Sequence, residues 1–109
     1  MSKFMILYRA PESAGDQLAN ATPEQQQASL DAWRAWASRM DYAIADLGAP
    51  LAHTTHIGAG AASTDGVGGY SILEAGSAEE VETILTGNPA LAMPGGSVEV
   101  FEIIPIGDI

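Results

Sequence analysis

His53 and His56 are the only two histidines of this 109-residue chain, and they are its sole side chains that ordinarily titrate near neutral pH. That makes them the candidate proton-transfer groups, with core or surface packing as the alternative. Three residues apart in an extended segment, they fall on opposite faces of a strand, so they do not chelate a metal together and no metal site is expected. Glu74 and Glu102 stand among apolar neighbours. A carboxylate on a buried face would have a raised pKa and serve as a base, whereas one at a sheet edge would be solvated. Tyr8 and Tyr70 either orient a ligand through their hydroxyls or pack in the core. Arg9, one of only four basic residues, is either an anion contact or structural. Trp33 either packs on the sheet with Trp36 or lines a ligand pocket or subunit contact. Gly66-Val-Gly-Gly69 is no nucleotide loop, because it leads into a strand instead of a helix N-terminus and no Lys follows. Nothing resembles a Ser-His-Asp arrangement.

The composition bounds the partners. Fourteen acidic residues against four basic ones give a net charge of −10 at pH 7, which repels phosphate backbones and acidic membrane surfaces, so neither nucleic acid nor membrane is an expected partner. There are no cysteines, hence no disulfides, thiolate nucleophiles or Cys-ligated metals. No cofactor motif is present. A chain of this length makes one domain, residues 1–109. Met1-Ser2-Lys3-Phe4 shows no basic region followed by an apolar stretch, and the cytoplasm is the expected compartment.

The positioning elements follow from periodicity. Lys3–Arg9 is a short apolar strand in which Phe4, Ile6 and Tyr8 point one way and Met5 and Leu7 the other. Thr22-Pro23-Glu24-Gln25 is a helix start with an N-cap hydroxyl, a Pro at the first position and a capping-box Gln. Leu30, Trp33, Trp36, Ala37, Met40, Ile44 and Leu47 continue one apolar stripe, which predicts a helix over 22–47 stopped by Gly48 and Pro50. A second strand is expected within 51–63, carried by Thr54, Thr55 and Ile57. The Asp65-Gly66 turn then leads into a strand over 69–75. Ser77 and Glu80 form a capping box for a helix over 78–86, a loop covers 90–96, and Ser97–Ile106 is the last strand. This order is an α+β fold: a ferredoxin-like βαββαβ plait with an antiparallel four-stranded sheet and two helices on one face. Two helices cover one face, yet the first and last strands are apolar on both. A homodimer through the second sheet face is therefore expected, with Met5, Leu7, Phe101 and Ile103 among the uncovered residues on one choice of parity.

Several segments carry a family resemblance: Phe4-Met-Ile-Leu-Tyr8, Thr22-Pro-Glu24, Asp65-Gly66, Gly69-Tyr-Ser-Ile-Leu-Glu74, Ser77-Ala-Glu-Glu80, Asn88-Pro89 and Gly96-Ser-Val-Glu-Val100. Their order and spacing resemble the YCII-related, DGPF-domain proteins, small members of the dimeric α/β-barrel group. The resemblance implies the same plait, dimerised through its sheets. It departs from the family at Val67-Gly68, where the motif would read Pro-Phe. It also implies that a His near the start of the long helix and an Asp before the Pro after the second helix form the proposed catalytic pair. The matching positions here hold Gln25 or Gln26, and Asn88, none of which exchanges a proton near neutral pH. These side chains are instead candidate ligand contacts, together with Tyr8, Arg9, Trp33, Tyr70 and Glu74. The expected function is the binding of a small apolar metabolite in a pocket between long helix and sheet. The alternative is a lactone- or muconolactone-type enzyme using His53 or His56 for proton transfer.

Overall fold

The computed structural model describes residues 1–11, 19–61 and 66–107. Its elements run β1 (Ser2–Arg9), α1 (Pro23–Arg39), a single 3₁₀ turn (Asp41–Ala43), β2 (Ile44–Pro50), β3 (Val67–Ala75), α2 (Ala78–Ile84), α3 (Pro89–Ala92) and β4 (Ser97–Ile103). The four strands form one sheet in the order β2-β3-β1-β4, with every neighbouring pair antiparallel. That is the ferredoxin-like α+β plait.

Alternation decides which face is buried. In β1, Phe4, Ile6 and Tyr8 are buried, while Met5 and Leu7 on the opposite face are only half-covered. Leu73 and Ala75 of β3 join the buried set, and Val98 of β4 packs against it. Trp36 of α1 and Val81 and Ile84 of α2 close that core, so both main helices lie on one sheet face. The Trp36 indole N–H is not wasted by burial, since it donates to the Ile84 carbonyl at 3.1 Å and ties the two helices together.

Thr22 caps α1 as its sequence dictates. The Thr22 hydroxyl accepts from the Gln25 N–H at 3.1 Å, and the Thr22 N–H donates back to Gln25 Oε1 at 2.9 Å. At α2 only half of the expected box forms. The Ser77 hydroxyl accepts the Glu80 N–H, while the Glu80 carboxylate takes the Gly76 N–H at 2.8 Å.

Several boundaries differ from the sequence reading. The long helix stops at Arg39 instead of 47, because the 3₁₀ turn reverses the chain and Ile44 pairs with Leu73 in the sheet. Ile44 and Leu47 keep helical spacing by coincidence, and pairing with β3 overrides it. The second strand is accordingly 44–50, and residues 51–61, the described part of the expected range, hold none. Residues 51–57 are exposed and outside the sheet, extended from it only by the Leu51 N–H bond to the Gly68 carbonyl at 3.0 Å. The stretch 90–96, expected as loop, begins inside α3, and β4 ends at Ile103 instead of 106. Gly66 adopts φ +68 as the expected turn requires; its partner Asp65 lies outside the described residues.

Candidate functional site

A cleft of about 820 Å³ opens between the first half of α1 and the end of the sheet where β1 and β2 finish, a volume suited to a small organic ligand. Its floor is Tyr8 and the glycines at the start of β3. Trp33 and Leu30 descend from α1, Leu47, Ala49 and Pro50 come from β2, and Ala90 and Met93 close the far side. One wall is polar, with Gln25, Gln26 and Ser29 of α1 and Asn20 before it, and Arg9 and Tyr70 border the cleft from the sheet.

Beneath the floor lies a buried polar chain. Tyr8, 9% exposed, donates its hydroxyl proton to Ser71 Oγ at 2.8 Å, and the Ser71 hydroxyl donates in turn to the Leu47 carbonyl. Asn88, 1% exposed, donates from Nδ2 to the Tyr8 hydroxyl oxygen at 3.4 Å and accepts the Ala90 N–H on Oδ1 at 2.9 Å. Among the described residues, the hydroxyl partners of Tyr8 are thus Ser71 and Asn88. Burial pushes the Tyr8 phenol above its ordinary value of 10.0, and the bonds to Ser71 and Asn88 pull it partly back. Tyr8 is therefore a protonated phenol at neutral pH, its proton donated in a hydrogen bond to Ser71. Its ring meets Trp33 edge-to-face at 5.1 Å, and Trp33 meets Trp36 the same way at 6.0 Å.

The sequence-predicted residues divide into three groups. Tyr8, Gln25, Gln26 and Trp33 line the cleft together, and Asn88 supports it from below through Tyr8. Arg9 and Tyr70 border it but are engaged elsewhere. Arg9 Nε lies 3.8 Å from Glu99 Oε1, and the Tyr70 hydroxyl donates to Asp46 Oδ2 at 3.3 Å. His53, His56 and Glu74 stand apart. Both histidines are exposed in the 51–57 segment and do not line the cleft, and Glu74 pairs at 4.0 Å with Lys3 on the opposite sheet face. Glu102, on the helix-facing side by its register with Phe4, is exposed. Among the described residues, no group of three or more His, Asp or Glu side chains is placed to hold a metal ion.

Sequence reasoning missed Ser71, Ser29, Leu47 and Met93. Ser71 had a signal: it is the one polar residue at the parity of Leu73 and Ala75, so its hydroxyl had to find a buried partner. Gly48 had another. Its φ of +81 and the Tyr70 carbonyl oxygen, which an added Cβ would strike, admit no side chain, and its N–H is held by Asp46 Oδ1 at 2.8 Å. This bulged corner of β2 puts Leu47 and Ala49 against the cleft.

Fold and site together define a two-layer α+β plait with a ligand-sized cleft between helix and sheet. No family model matches the chain, and no curated protein does. Among solved structures it is similar to 5-chloro-2-hydroxyhydroquinone dehydrochlorinase of Burkholderia phenoliruptrix AC1100, determined in complex with 2,5-dihydroxybenzoquinone. The identity is 24%, covering 89% of this chain and 90% of that one, with a TM-score of 0.47.

Proposed function

We propose that this chain is a single-domain protein of the YCII-related, DGPF-like type that binds a small, largely apolar molecule in the α1–sheet cleft, without an acid–base dyad. The observation that carries this reading is the chemistry of the cleft's described lining. Tyr8, Trp33, Leu30, Leu47 and Met93 supply apolar and aromatic surface, and the polar groups of the α1 wall are amides and hydroxyls that hold a ligand without moving protons. Gln25 and Gln26 occupy the wall where the resemblance places a catalytic His. Asn88, at the position of the family's Asp, is spent on capping α3 and bonding Tyr8. The lactone-type alternative needs His53 or His56 at the ligand, and their position outside the cleft speaks against it.

Native mass spectrometry of the purified protein tests the reading. The expected result is a bound small molecule that Trp33→Ala releases and that His53→Ala and His56→Ala leave in place. A proton-transfer activity lost on substituting either histidine would overturn it.

A further inference from the structure

The two edges of the sheet are built differently. β2 breaks register with β3 twice, between Ile44 and Asp46 and between Asp46 and Ala49, and it ends at Pro50. Bulges and proline are devices that keep an edge strand from pairing further. β4 has neither. Its residues Ser97–Ile103 contain no proline or lysine, and its pairing with β1 runs from Arg9↔Ser97 to Lys3↔Ile103 without a register shift. It is also exposed on both faces. Phe101 and Ile103 are 50% and 38% exposed on the open face, and Val100 is 38% exposed on the side that the helices cover elsewhere. An unbroken, partly apolar edge of this kind is a template for one more strand.

A segment with strand composition leaves the opposite edge. Past the Leu51 N–H bond to Gly68, residues 52–57 are exposed and outside the sheet, with Ile57 89% exposed. Thr54, Thr55 and Ile57 are the β-branched residues that suit a strand. The sheet order separates this segment from its own β4 by three strand spacings, about 14 Å. Crossing them would run it over the sheet instead of alongside β4. We propose that residues 54–57 of one copy add as a strand to the outer edge of β4 in a second copy, and that the exchange is reciprocal. A two-fold axis between two facing sheets, parallel to their strands, sets β2 of each over β4 of the other. Facing sheets lie about 10 Å apart, a gap that about three residues of extended chain bridge, so residues 51–53 cross and 54–57 pair. Charge favours this occupant over a second β4. Residues 47–64 are the longest stretch of the chain without an acidic residue. Two β4 strands side by side would instead gather Glu99 and Glu102 of both copies at one seam, between chains that each carry −10. Ala49 and Pro50, which line the cleft, directly precede the segment, so the exchange anchors that cleft wall to the partner.

The chain has no cysteine, so introduced thiols report the contact directly. Thr54→Cys and Thr55→Cys place a thiol on either face of the segment, and Phe101→Cys and Glu102→Cys on either face of β4, all at exposed positions. Under mild oxidation, a segment variant mixed with a β4 variant is expected to give their disulfide-linked dimer. Its yield is expected to exceed that of the same mixture in urea by at least about tenfold, since the bond forms only between closely placed backbones. In the parent at high micromolar concentration, the amides of residues 54–57 are expected to exchange at least about tenfold more slowly than those of an unstructured chain. Links between two β4 variants, with none to the segment, assign the edge to a second β4 and overturn the proposal. Fast exchange of residues 54–57 at that concentration, or no segment-to-edge link above the urea control, overturns it as well.

Discussion

The hydroxyl of Tyr8 holds two roles that a substitution separates. It satisfies Ser71 and Asn88, both fully buried, and its ring forms the cleft floor. Tyr8→Phe keeps the floor and leaves a buried amide without one partner, a change costing about 1–3 kcal/mol, measurable as a shift of the urea midpoint at unchanged slope. The same variant has a pH signature. Because burial raises the folded-state pKa of this phenol above its ordinary value of 10.0, the unfolded chain releases the proton first. The contribution is complete below about pH 10 and is lost as pH rises through the higher folded value. The parent is therefore expected to lose stability more steeply than Tyr8→Phe above pH 10, and equal alkaline slopes would show that the phenol is not the buried group described. His53→Ala and His56→Ala, both at exposed positions, are expected to change stability by less than about 0.5 kcal/mol. Tyr8 and Trp33 were legible as site candidates because strand parity and helix spacing put them on inward faces. Ser71 was not singled out, although the same parity places it there.

At the scale of elements, the corner at Gly48 fixes β2 against β3 and so shapes one cleft wall. Gly48→Ala would need a left-handed backbone and a Cβ inside the Tyr70 carbonyl, so it is expected to cost at least about 3 kcal/mol. A thermal melt within a degree of the parent would mean that the corner relaxes freely. Thr22→Ala removes one arm of the α1 cap and is expected to cost about 1 kcal/mol by urea denaturation. Such elements were the legible part of the chain, for a physical reason. Caps, strand parity and the Gly66 turn are decided by residues close together in sequence. β2 was misplaced because its identity is decided by a distant partner. Ile44 and Leu47 satisfy the helical stripe in isolation, and only β3 supplies the pairing that makes them strand. The segment 51–57, with Thr54, Thr55 and Ile57, has strand propensity and no strand beside it along its length.

For the whole molecule, the open sheet face is the feature that two layers leave unexplained. The described chain is a slab only 22 Å thick along its shortest axis, with a radius of gyration of 15.0 Å, against about 13 Å for a compact domain of this length. One sheet and one helical layer account for that thickness, and nothing among the described residues covers the other face. The β1–β3 and β1–β4 registers align Met5 with Ile72 and Phe101 across that face, and Lys3 with Glu74 and Ile103. Leu7 lies beside Tyr70 and Glu99. The result is an apolar centre, with Phe101 50% exposed, flanked by the Lys3–Glu74 and Arg9–Glu99 ion pairs. Such a patch is self-complementary under a two-fold axis, because apolar centre meets apolar centre and each flank carries both signs. The cleft opens on the helix side, so pairing through the sheets leaves it accessible. Light scattering at micromolar concentration is expected to give twice the 11.3 kDa chain mass, and Phe101→Glu or Met5→Glu to halve it by burying an unpaired carboxylate at the centre. Because neither residue belongs to the buried core or the cleft, ligand binding in the cleft should survive in the dissociated chain. A parent that scatters only as a single chain would leave the open face without a second copy to cover it.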